Sequence, residues 1–399
     1  MYRHAEGFRR TAERADFMRI YLDHAATTPV RREALEAMLP YFAEVYGNAS
    51  SIHTEGRKAR RAVEKARQQV AAAIGAEPRE VYFTAGGSES DNWAIRGAAQ
   101  PLWEQGKRHL ITSRVEHPAL LRTCENIERL GWQVTYLPVD AFGRVCPEDV
   151  RQAIRPDTAL ISVMAANNEV GTLQPVREIG RIAHESGILF HTDAVQAVGS
   201  IPVDVNDWNA DLLSLSGHKF YGPKGVGALY VRRGVRMEPL IFGGEQEKGL
   251  RAGTENLPGI VGMGAALELA EKERPEEAAR LTHLRQMLLE GLTAALPDCQ
   301  LNGHPEHRLP GNLNLRFPLV EGESLLMRLD LAGIAASAGS ACSSGSMEVS
   351  HVLTAMGLSE DEARGSLRLS LGRENTEEDV ARVVEILPAI VRELQELRS

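Results

Sequence analysis

Between about residue 57 and residue 260 the sequence alternates between short apolar runs and amphipathic stretches, and this alternation limits the chain to few folds. Runs such as EVYFT, HLITS and ILFHTDA are strand-like, and they are separated by helical patterns, of which the stretch from Arg57 to Ile74 is the clearest. Apolar strands that alternate with helices are typical of a parallel or mixed sheet covered on both faces. We therefore predict an α/β fold for this part of the chain.

The C-terminal part has a different pattern. Residues 263–296 and 376–398 are helical and charged, and NLNLRF and SLRLSLG are strand-like. Between these strands lies AGIAASAGSACSSGS, which consists almost wholly of Ala, Gly and Ser, so we expect a mobile loop there. We place a large domain at residues 36–262. A smaller α+β domain is placed at residues 1–35 and 263–399, with the loop at about 332–350.

Composition argues against several classes of protein. A net charge of −9 disfavours nucleic acid as the main partner, and no apolar run approaches the roughly 20 residues that cross a bilayer. Residues 1–20 contain five arginines but also acidic residues and no apolar core, unlike a secretory signal or a mitochondrial presequence. The four cysteines (124, 146, 299 and 342) form no C-x-x-C pair. We therefore expect reduced thiols, a cytoplasmic location and no zinc site.

A glycine turn, TAGGSESDN at residues 84–92, stands between a predicted strand and a predicted helix. Free backbone amides at the start of a helix bind anions, and the hydroxyl of Ser88 adds a donor. The same pattern also fits an ordinary strand-to-helix turn with a serine cap. The segment is not a Walker loop, because the lysine that ends such a loop is absent.

Two further segments carry groups suited to cofactor chemistry. Asp193, in HTDAVQ, follows an apolar strand, and ligands of open α/β sheets gather at the carboxyl ends of strands. An acid there can keep a pyridine nitrogen protonated, although it can also cap the next helix. Lys219, in SLSGHKFYGPKG, follows another strand, where a partly desolvated amine loses its proton readily. Lys224 in the same segment is typical of a surface turn.

Short matches to the serine enzymes that bind penicillin were also considered. Ser216 and Lys219 fit S-x-x-K, and residues 90–92 read S-D-N. Here S-D-N precedes S-x-x-K, which is the wrong order, and K-T-G does not occur. We therefore set this interpretation aside.

Nine segments in sequence order resemble the cysteine desulfurases, which are fold-type I pyridoxal-phosphate enzymes of the class V aminotransferase group. They are YLDHAATTPV, GNASSIH, FTAGGSESDN, EHPALL, NNEVGTLQP, HTDAVQAVG, SGHKFYGPKGVGALY, RAGTEN and SAGSACSSGS. The resemblance runs from about Tyr21 to Arg373. It implies a large domain with a mainly parallel, seven-stranded sheet, a smaller α+β domain and a homodimer.

The resemblance also implies roles for individual residues. Lys219 would bind the cofactor covalently, Asp193 would pair with the pyridinium, and His117 would stack on the ring and carry protons. The residues that would hold the phosphate are Gly87, Ser88, Ser216 and His218, together with Thr254 from a second subunit. Asn168 and Gln196 would contact the ring hydroxyl. The substrate would be bound by Arg368, Asn48 and Asn168. The family usually has threonine at the position of Ser88, which keeps the hydroxyl.

Cys342 distinguishes this family from its relatives. An isolated cysteine is most often a small buried hydrophobic residue, and we interpret Cys124, Cys146 and Cys299 in that way. Cys342 lies instead in the Ala/Gly/Ser segment. The resemblance implies that it takes the sulfur of L-cysteine as a persulfide, releasing L-alanine. No resident metal is implied, although Cys342 could transiently ligate an iron–sulfur cluster together with a scaffold protein.

The sulfur acceptor is not identified by the sequence. An iron–sulfur scaffold protein, a tRNA-thiolation enzyme and nitrogenase maturation all fit the resemblance. A selenocysteine lyase, another enzyme of the class V aminotransferase group and a non-catalytic relay protein on the same fold remain alternatives. The presence of Lys219, Asp193 and His117 argues against the last of these.

Overall fold

A computed structural model describes residues 19–338 and 349–398 of the chain. Cys342 therefore lies outside the described residues. From the first described residue to residue 193, the elements are β1 (Ile20–Tyr21), α1 (Arg32–Met38), α2 (Pro40–Ala43), α3 (Thr54–Ala73), β2 (Val81–Thr84), α4 (Gly87–Glu104), β3 (His109–Ser113), α5 (Pro118–Glu128), β4 (Gln133–Leu137), α6 (Pro147–Ala153), β5 (Thr158–Ser162), α7 (Val176–Glu185) and β6 (Leu189–Asp193).

The remaining elements belong partly to the same sheet and partly to the C-terminal part. They are β7 (Leu212–Ser216), β8 (Gly227–Val231), α8 (Leu257–Ala295), β9 (Gln300–Asn302), β10 (Asn312–Arg316), α9 (Gly322–Leu331), β11 (Ile334–Ala335), α10 (His351–Ala355), α11 (Glu360–Arg364), β12 (Ser366–Ser370) and α12 (Glu377–Glu396). None of the helices in the described ranges is both long and apolar enough to span a membrane.

Seven strands form the large sheet in the order β2-β8-β7-β6-β5-β3-β4. All neighbours in it are parallel except β8, which runs antiparallel to both β2 and β7. Alternate residues of these strands enter two separate apolar cores: Ile111 and Ile161 belong to one, and Leu110 and Leu160 belong to the other. Some buried polar residues within the strands hydrogen-bond to one another, as His191 Nε2 and Ser214 Oγ do at 3.0 Å. A sheet buried on both faces favours apolar residues on both sides of each strand. This explains the continuous apolar runs, and the predicted α/β fold is confirmed.

The parallel strands position the functional segments. Because β2, β3, β5, β6 and β7 all run in the same direction, their carboxyl ends meet at one edge of the sheet. The glycine turn follows β2, His117 follows β3, Asp193 ends β6, and Lys219 lies in a 3₁₀ turn directly after β7. Ligands of such sheets bind at this edge.

The C-terminal part contains a second sheet with strand order β12-β10-β9, which is antiparallel, and a short parallel pair of β1 and β11. Its apolar core is separate from the cores of the large sheet. The segment from Ile20 to Leu22 packs into this core although it lies at the other end of the sequence. This packing of an N-terminal segment with the C-terminal part is consistent with a small domain built from both ends of the sequence. The exact division of the chain into domains stays a prediction.

Helix α8 begins at Leu257, six residues before the start that the charge pattern predicted. Asn256 caps it, with its side-chain oxygen accepting a hydrogen bond from the amide of Gly259. Glycines in this first part lower helix propensity and hid it from the sequence analysis. They are needed for packing: a Cβ atom at Gly262 would lie 2.4 Å from the sulfur of Met38, and one at Gly264 would lie 2.8 Å from Cα of Ala66.

Candidate active site

A cavity of about 570 Å³ opens at the carboxyl edge of the large sheet. Its volume lies in the range of small-molecule sites. The sequence-predicted residues that line it are Gly87, Ser88, His117, Asn168, Asp193, Gln196, Ser216, His218, Lys219 and Arg368. The fold thus brings together residues that are up to about 280 positions apart in the sequence.

Lys219 projects into this cavity from its 3₁₀ turn. Its Nζ donates hydrogen bonds to the carbonyl oxygens of Ala25 (2.5 Å) and Ala26 (2.8 Å). Burial lowers the pKa of Lys219 to about 8, and the positive charge of Arg368 adds to this effect. A substantial fraction of the amine is therefore neutral near pH 8, as a nucleophile for an aldehyde requires. Lys224, by contrast, is exposed.

Asp193 is the last residue of β6, and it is 6% exposed. Its Oδ1 accepts a hydrogen bond from the amide of Val195 at 2.9 Å, which fixes the carboxylate at the cavity wall. Burial raises the pKa of Asp193, while the neighbouring His117 and Lys219 oppose this rise. A cationic ring nitrogen is the kind of partner that would compensate a buried carboxylate here.

His117 caps the start of α5. Its Nδ1 lies 3.1 Å from the amide of Ala119 and accepts that hydrogen bond, so the neutral ring carries its proton on Nε2. Burial lowers the pKa of His117, and this keeps the imidazole neutral at neutral pH. Because Nδ1 is engaged by the amide of Ala119, proton exchange with a ligand would go through Nε2, which is a donor in this tautomer.

The phosphate end of the cavity is formed by the turn after β2. Gly87 is the first residue of α4, and Gly86 before it provides no side-chain cap for the amides of the first turn. A Cβ atom at Gly87 would lie 2.7 Å from Cγ2 of Val195, so this position has no room for a larger residue. His218 lies beside the turn, and burial lowers its pKa to about 4. Backbone amides and hydroxyls, rather than a charged histidine, would therefore bind an anion here.

Arg368 lies in the middle of β12 and is 4% exposed. Its Nη2 donates to Oδ1 of Asp23 at 2.7 Å, and its Nη1 donates to the carbonyl of Asn168 at 3.0 Å. Its Nε is buried and has no hydrogen-bond partner among the described residues. An unsatisfied buried guanidinium N–H is costly, and a carboxylate would satisfy it.

Three sequence-predicted residues are not among those that line the cavity. Asn48 lies in an exposed loop, where its side-chain oxygen accepts a hydrogen bond from the amide of Ser50. Thr254 is exposed on the segment before α8. Cys342 lies outside the described residues, so its predicted role stays a prediction.

Several site residues were missed by the sequence analysis. Asp23 and the carbonyls of Ala25 and Ala26 hold Arg368 and Lys219. Their segment, YLDHAATTPV, was recognised by its resemblance, but no role was assigned to these residues. Asp91 also lines the cavity; it is 2% exposed, and its Oδ1 makes no hydrogen bond among the described residues, with Nε2 of His191 3.8 Å away. Burial and the nearby Asp193 raise its pKa well above the usual range. The residues around Asp91 form an ordinary helical pattern, so the sequence did not reveal that its carboxylate is buried at the cavity.

No group of three or more His, Cys, Asp or Glu side chains is arranged to hold a metal ion within residues 19–338 and 349–398. The polar groups of the cavity fit an anionic, aromatic cofactor instead. The chemistry of these groups suits such a ligand: amides at a helix start can bind a phosphate, a buried carboxylate such as Asp193 can pair with a protonated ring nitrogen, and an amine such as Lys219 can add to an aldehyde.

Comparison with known families and curated proteins gives a consistent result. The family profile of the class-V aminotransferases matches residues 20–383. The chain is 57% identical to "Cysteine desulfurase IscS" of Methanosarcina thermophila, covering 95% of this chain and 93% of that protein. It is 53% identical to the protein of the same name from Dictyoglomus turgidum, covering 94% and 95% of the two chains.

Solved structures also match over most of the chain. A structure described as a "NifS-like protein" superimposes with a TM-score of 0.89 at 41% identity, covering 94% of this chain and all of that one. Another, described as "SspA in complex with cysteine", has a TM-score of 0.79 at 43% identity, covering 88% and 98%.

Proposed function

The chain belongs to the class-V aminotransferase family and is a pyridoxal-phosphate-dependent cysteine desulfurase, and from this premise we propose how its own residues divide the work. Lys219, Asp193, His117 and Arg368 are assigned to the chemistry of L-cysteine at the cofactor, and Cys342 is assigned to the sulfur. The observation that carries the proposal is the convergence of the first four residues on one cavity.

The cofactor half of the proposal rests on the carboxyl edge of the large sheet. Pyridoxal phosphate supplies an electron sink that acidifies the Cα–H bond of the substrate. Asp193 would keep the ring nitrogen protonated, and Lys219 would hold the aldehyde carbon. Asn168 and Gln196 are assigned to the ring hydroxyl, while the turn at Gly87, together with the other predicted phosphate residues, would bind the phosphate. The closeness of Gly87 to Val195 supports a cradle shaped by backbone atoms.

Proton movement is assigned to two bases whose pKa values are lowered by burial. Lys219, displaced by the substrate amine, would remove the Cα proton, and its pKa of about 8 makes the neutral base accessible near neutrality. His117 would exchange protons with the substrate thiol through its cavity-side nitrogen. The substrate carboxylate would bind Arg368, whose unpartnered Nε is the available donor. Asn48 is assigned here only by resemblance.

Sulfur transfer is assigned to Cys342. Its thiolate would attack the substrate sulfur, so that the bond between sulfur and Cβ breaks and a sulfur–sulfur bond forms. Cβ takes up a proton, and cysteine plus enzyme thiol become alanine plus enzyme persulfide without an outside oxidant or reductant. We propose an iron–sulfur scaffold protein or a tRNA-thiolation enzyme as the acceptor.

A cytoplasmic homodimer is part of the proposal. Large apolar side chains are exposed in close succession after α1 begins: Leu35, Leu39, Phe42, Tyr46 and Ile52. Soluble monomers rarely expose so many neighbouring apolar residues, and a second subunit would cover them. Thr254, exposed in one chain, would then reach the partner's phosphate. The thiols of Cys124, Cys146 and Cys299 are free, in keeping with a reducing compartment.

The experiment that tests the sulfur assignment is Cys342→Ser. Serine cannot hold a persulfide, so we expect alanine release to collapse while the cofactor spectrum still responds to added cysteine. Label from radioactive-sulfur cysteine should mark the parent protein, be removed by dithiothreitol, and be absent from the variant. Cys146→Ser is the matched control, because Cys146 is an exposed thiol, which corrects the buried position that we predicted for it. Alanine release from cysteine at the parent rate in Cys342→Ser would instead identify a lyase that expels sulfide directly.

A further inference from the structure

Glu247 is a buried residue in an exposed part of the chain. Its side chain is 4% exposed, whereas residues 241–245, 248 and 249 are exposed. Its backbone has φ +47° and ψ 44°, and Lys248 follows with φ +63° and ψ 30°. Two successive side-chain-bearing residues in the left-handed region are unfavourable, so the surroundings must hold them there.

The group that holds Glu247 is the guanidinium of Arg67 on α3. Nη1 and Nη2 of Arg67 donate to Oε2 and Oε1 of Glu247 at 2.7 and 2.8 Å, which is a bidentate ion pair. The side chain of Arg67 is 5% exposed. A buried pair of this kind is tolerated only when its remaining donors and acceptors are also satisfied.

Two further bonds of the pair go to β2, which is an edge strand of the large sheet. Arg67 Nη1 donates to the carbonyl of Val81 at 2.8 Å, and Oε2 of Glu247 accepts from the amide of Phe83 at 2.9 Å. These two groups point away from β8, where an edge strand has no neighbour. The ion pair therefore takes the place of a neighbouring strand, just before β2 ends in the phosphate turn.

The segment that follows Glu247 is tied to the same turn a second time. Nε and Nη2 of Arg251 donate to the carboxylate of Glu89 at 2.8 and 3.2 Å. Glu89 lies in the first turn of α4, and its Oε2 also accepts from the amide of Ala85 in the phosphate turn. Thr254 lies three residues beyond Arg251 and is exposed.

We propose that Glu247 is a positioning residue for two cofactor phosphates. Within its own subunit it would act through β2 and the turn at residues 84–88, and in the partner subunit it would act through the segment that presents Thr254. This inference rests on the proposed function, which supplies the homodimer and the role of Thr254. Under this inference, the buried carboxylate of Glu247 in each subunit helps to position segments that belong to both phosphate sites of the dimer.

Release of pyridoxal phosphate from the homodimer is the first test. Glu247→Gln keeps the shape of the side chain but removes the charge, and we expect cofactor release to accelerate by about 10- to 100-fold, the loss of one charge-assisted interaction. Arg67→Lys should act in the same direction, because lysine lacks the bidentate fork. Glu64→Gln is the matched control: Glu64 also pairs with Arg67 (3.3 Å), but its side chain is 45% exposed. Release unchanged in Glu247→Gln, well below its melting temperature, would overturn the inference.

Mixed dimers with two affinity tags separate the two sites. One subunit carries Lys219→Ala, so that covalently held cofactor remains only in the other, wild-type subunit. Adding Thr254→Ala to the Lys219→Ala subunit measures the contribution of Thr254, for which we expect about fivefold faster release, the loss of a single hydrogen bond. Adding Glu247→Gln to that same subunit should give a similar acceleration. Combining both changes there should add nothing further.

The outcomes separate this inference from the proposed function. If Thr254→Ala accelerates release in the partner but Glu247→Gln does not, the inference is wrong and the dimeric phosphate site stands. If Thr254→Ala has no effect in the partner, the proposed dimeric site itself is contradicted, and the inference falls with it. Equal, non-additive acceleration by the two changes supports both.

Discussion

The seven-stranded sheet presents Asp193, Ser216 and Lys219 at or just beyond the ends of its strands, whereas the three-stranded sheet presents Arg368 from the middle of β12. A residue beyond a strand end is free of ladder hydrogen bonds, so its segment can adopt whatever turn the ligand requires. Arg368 is fixed on both sides, since its neighbours across the strands are Asn314 and Ser337. In the assignment that we propose, the large sheet would bind the cofactor with residues at its strand ends, and the small sheet would bind the substrate with a charge held rigidly within a strand.

The largest effect that separates these two regions is expected for Lys219→Ala. Because Lys219 would both hold the cofactor and move the Cα proton, we expect turnover to fall by at least about 10⁴-fold, the upper end for a placed acid–base group. The protein should also lose its covalently attached cofactor. Mass spectrometry after borohydride reduction measures the attachment, and alanine formation measures turnover.

The control for this prediction is Lys224→Ala, five residues further along the chain at an exposed position. It should keep both the attached cofactor and normal turnover. If Lys224→Ala lost the attachment while Lys219→Ala kept it, the assignment of the cofactor end to the strand-end lysine would be wrong.

Arg368→Lys should affect the substrate end selectively. A lysine keeps the charge but cannot satisfy a carboxylate with two parallel N–H groups. We expect KM for cysteine to rise by about 10- to 100-fold, the loss of one charge-assisted hydrogen bond, with a smaller change in kcat. Steady-state kinetics of the holoenzyme measures both.

Arg364→Lys on α11 is a suitable control, because Arg364 is partly exposed and pairs only loosely, at 3.6 Å, with Glu360. It should leave KM unchanged. A fall in kcat at constant KM for Arg368→Lys would contradict the division of roles between the two sheets.

The smallest expected effect is that of the charge of Arg368, in the small sheet, on the pKa of Lys219, which follows a strand of the large sheet. The pKa of Lys219 is lowered to about 8 by burial and by the positive charge of Arg368, so the neutral, reactive amine accumulates as the pH rises through 8. We expect the rate at which apo-protein binds pyridoxal phosphate covalently to rise over the same range. Arg368→Gln removes the charge and should move the midpoint to higher pH.

This pH profile has a clear contrary result. A midpoint that does not move in Arg368→Gln would show that burial alone sets the pKa of Lys219. A midpoint that moves to lower pH would contradict the sign of the interaction between the two residues.

The cofactor end could be predicted from the sequence more completely than the substrate end, for physical reasons. Strands buried on both faces are rich in apolar residues, and an acidic residue at the end of such a strand, as Asp193 is, stands out in the sequence. Asp23 gave no comparable signal, because β1 has only two residues and its strand partner β11 lies more than 300 positions away. Glu247 also gave none, since a buried carboxylate and a left-handed backbone leave no mark on local composition.

Helix α8 passes through the cores of both parts of the molecule. Its first turns, from Leu257 to Leu267, pack in the core of the large sheet, and the stretch from Leu284 to Leu292 packs in the core of the small one. With 39 residues it is about 58 Å long. One continuous element shared by two hydrophobic cores makes their unfolding cooperative, so heating should melt them in one calorimetric transition rather than two. A protein cut at the predicted boundary near residue 262 would leave the first six residues of α8 with the large-domain fragment and the other 33 with the small-domain fragment.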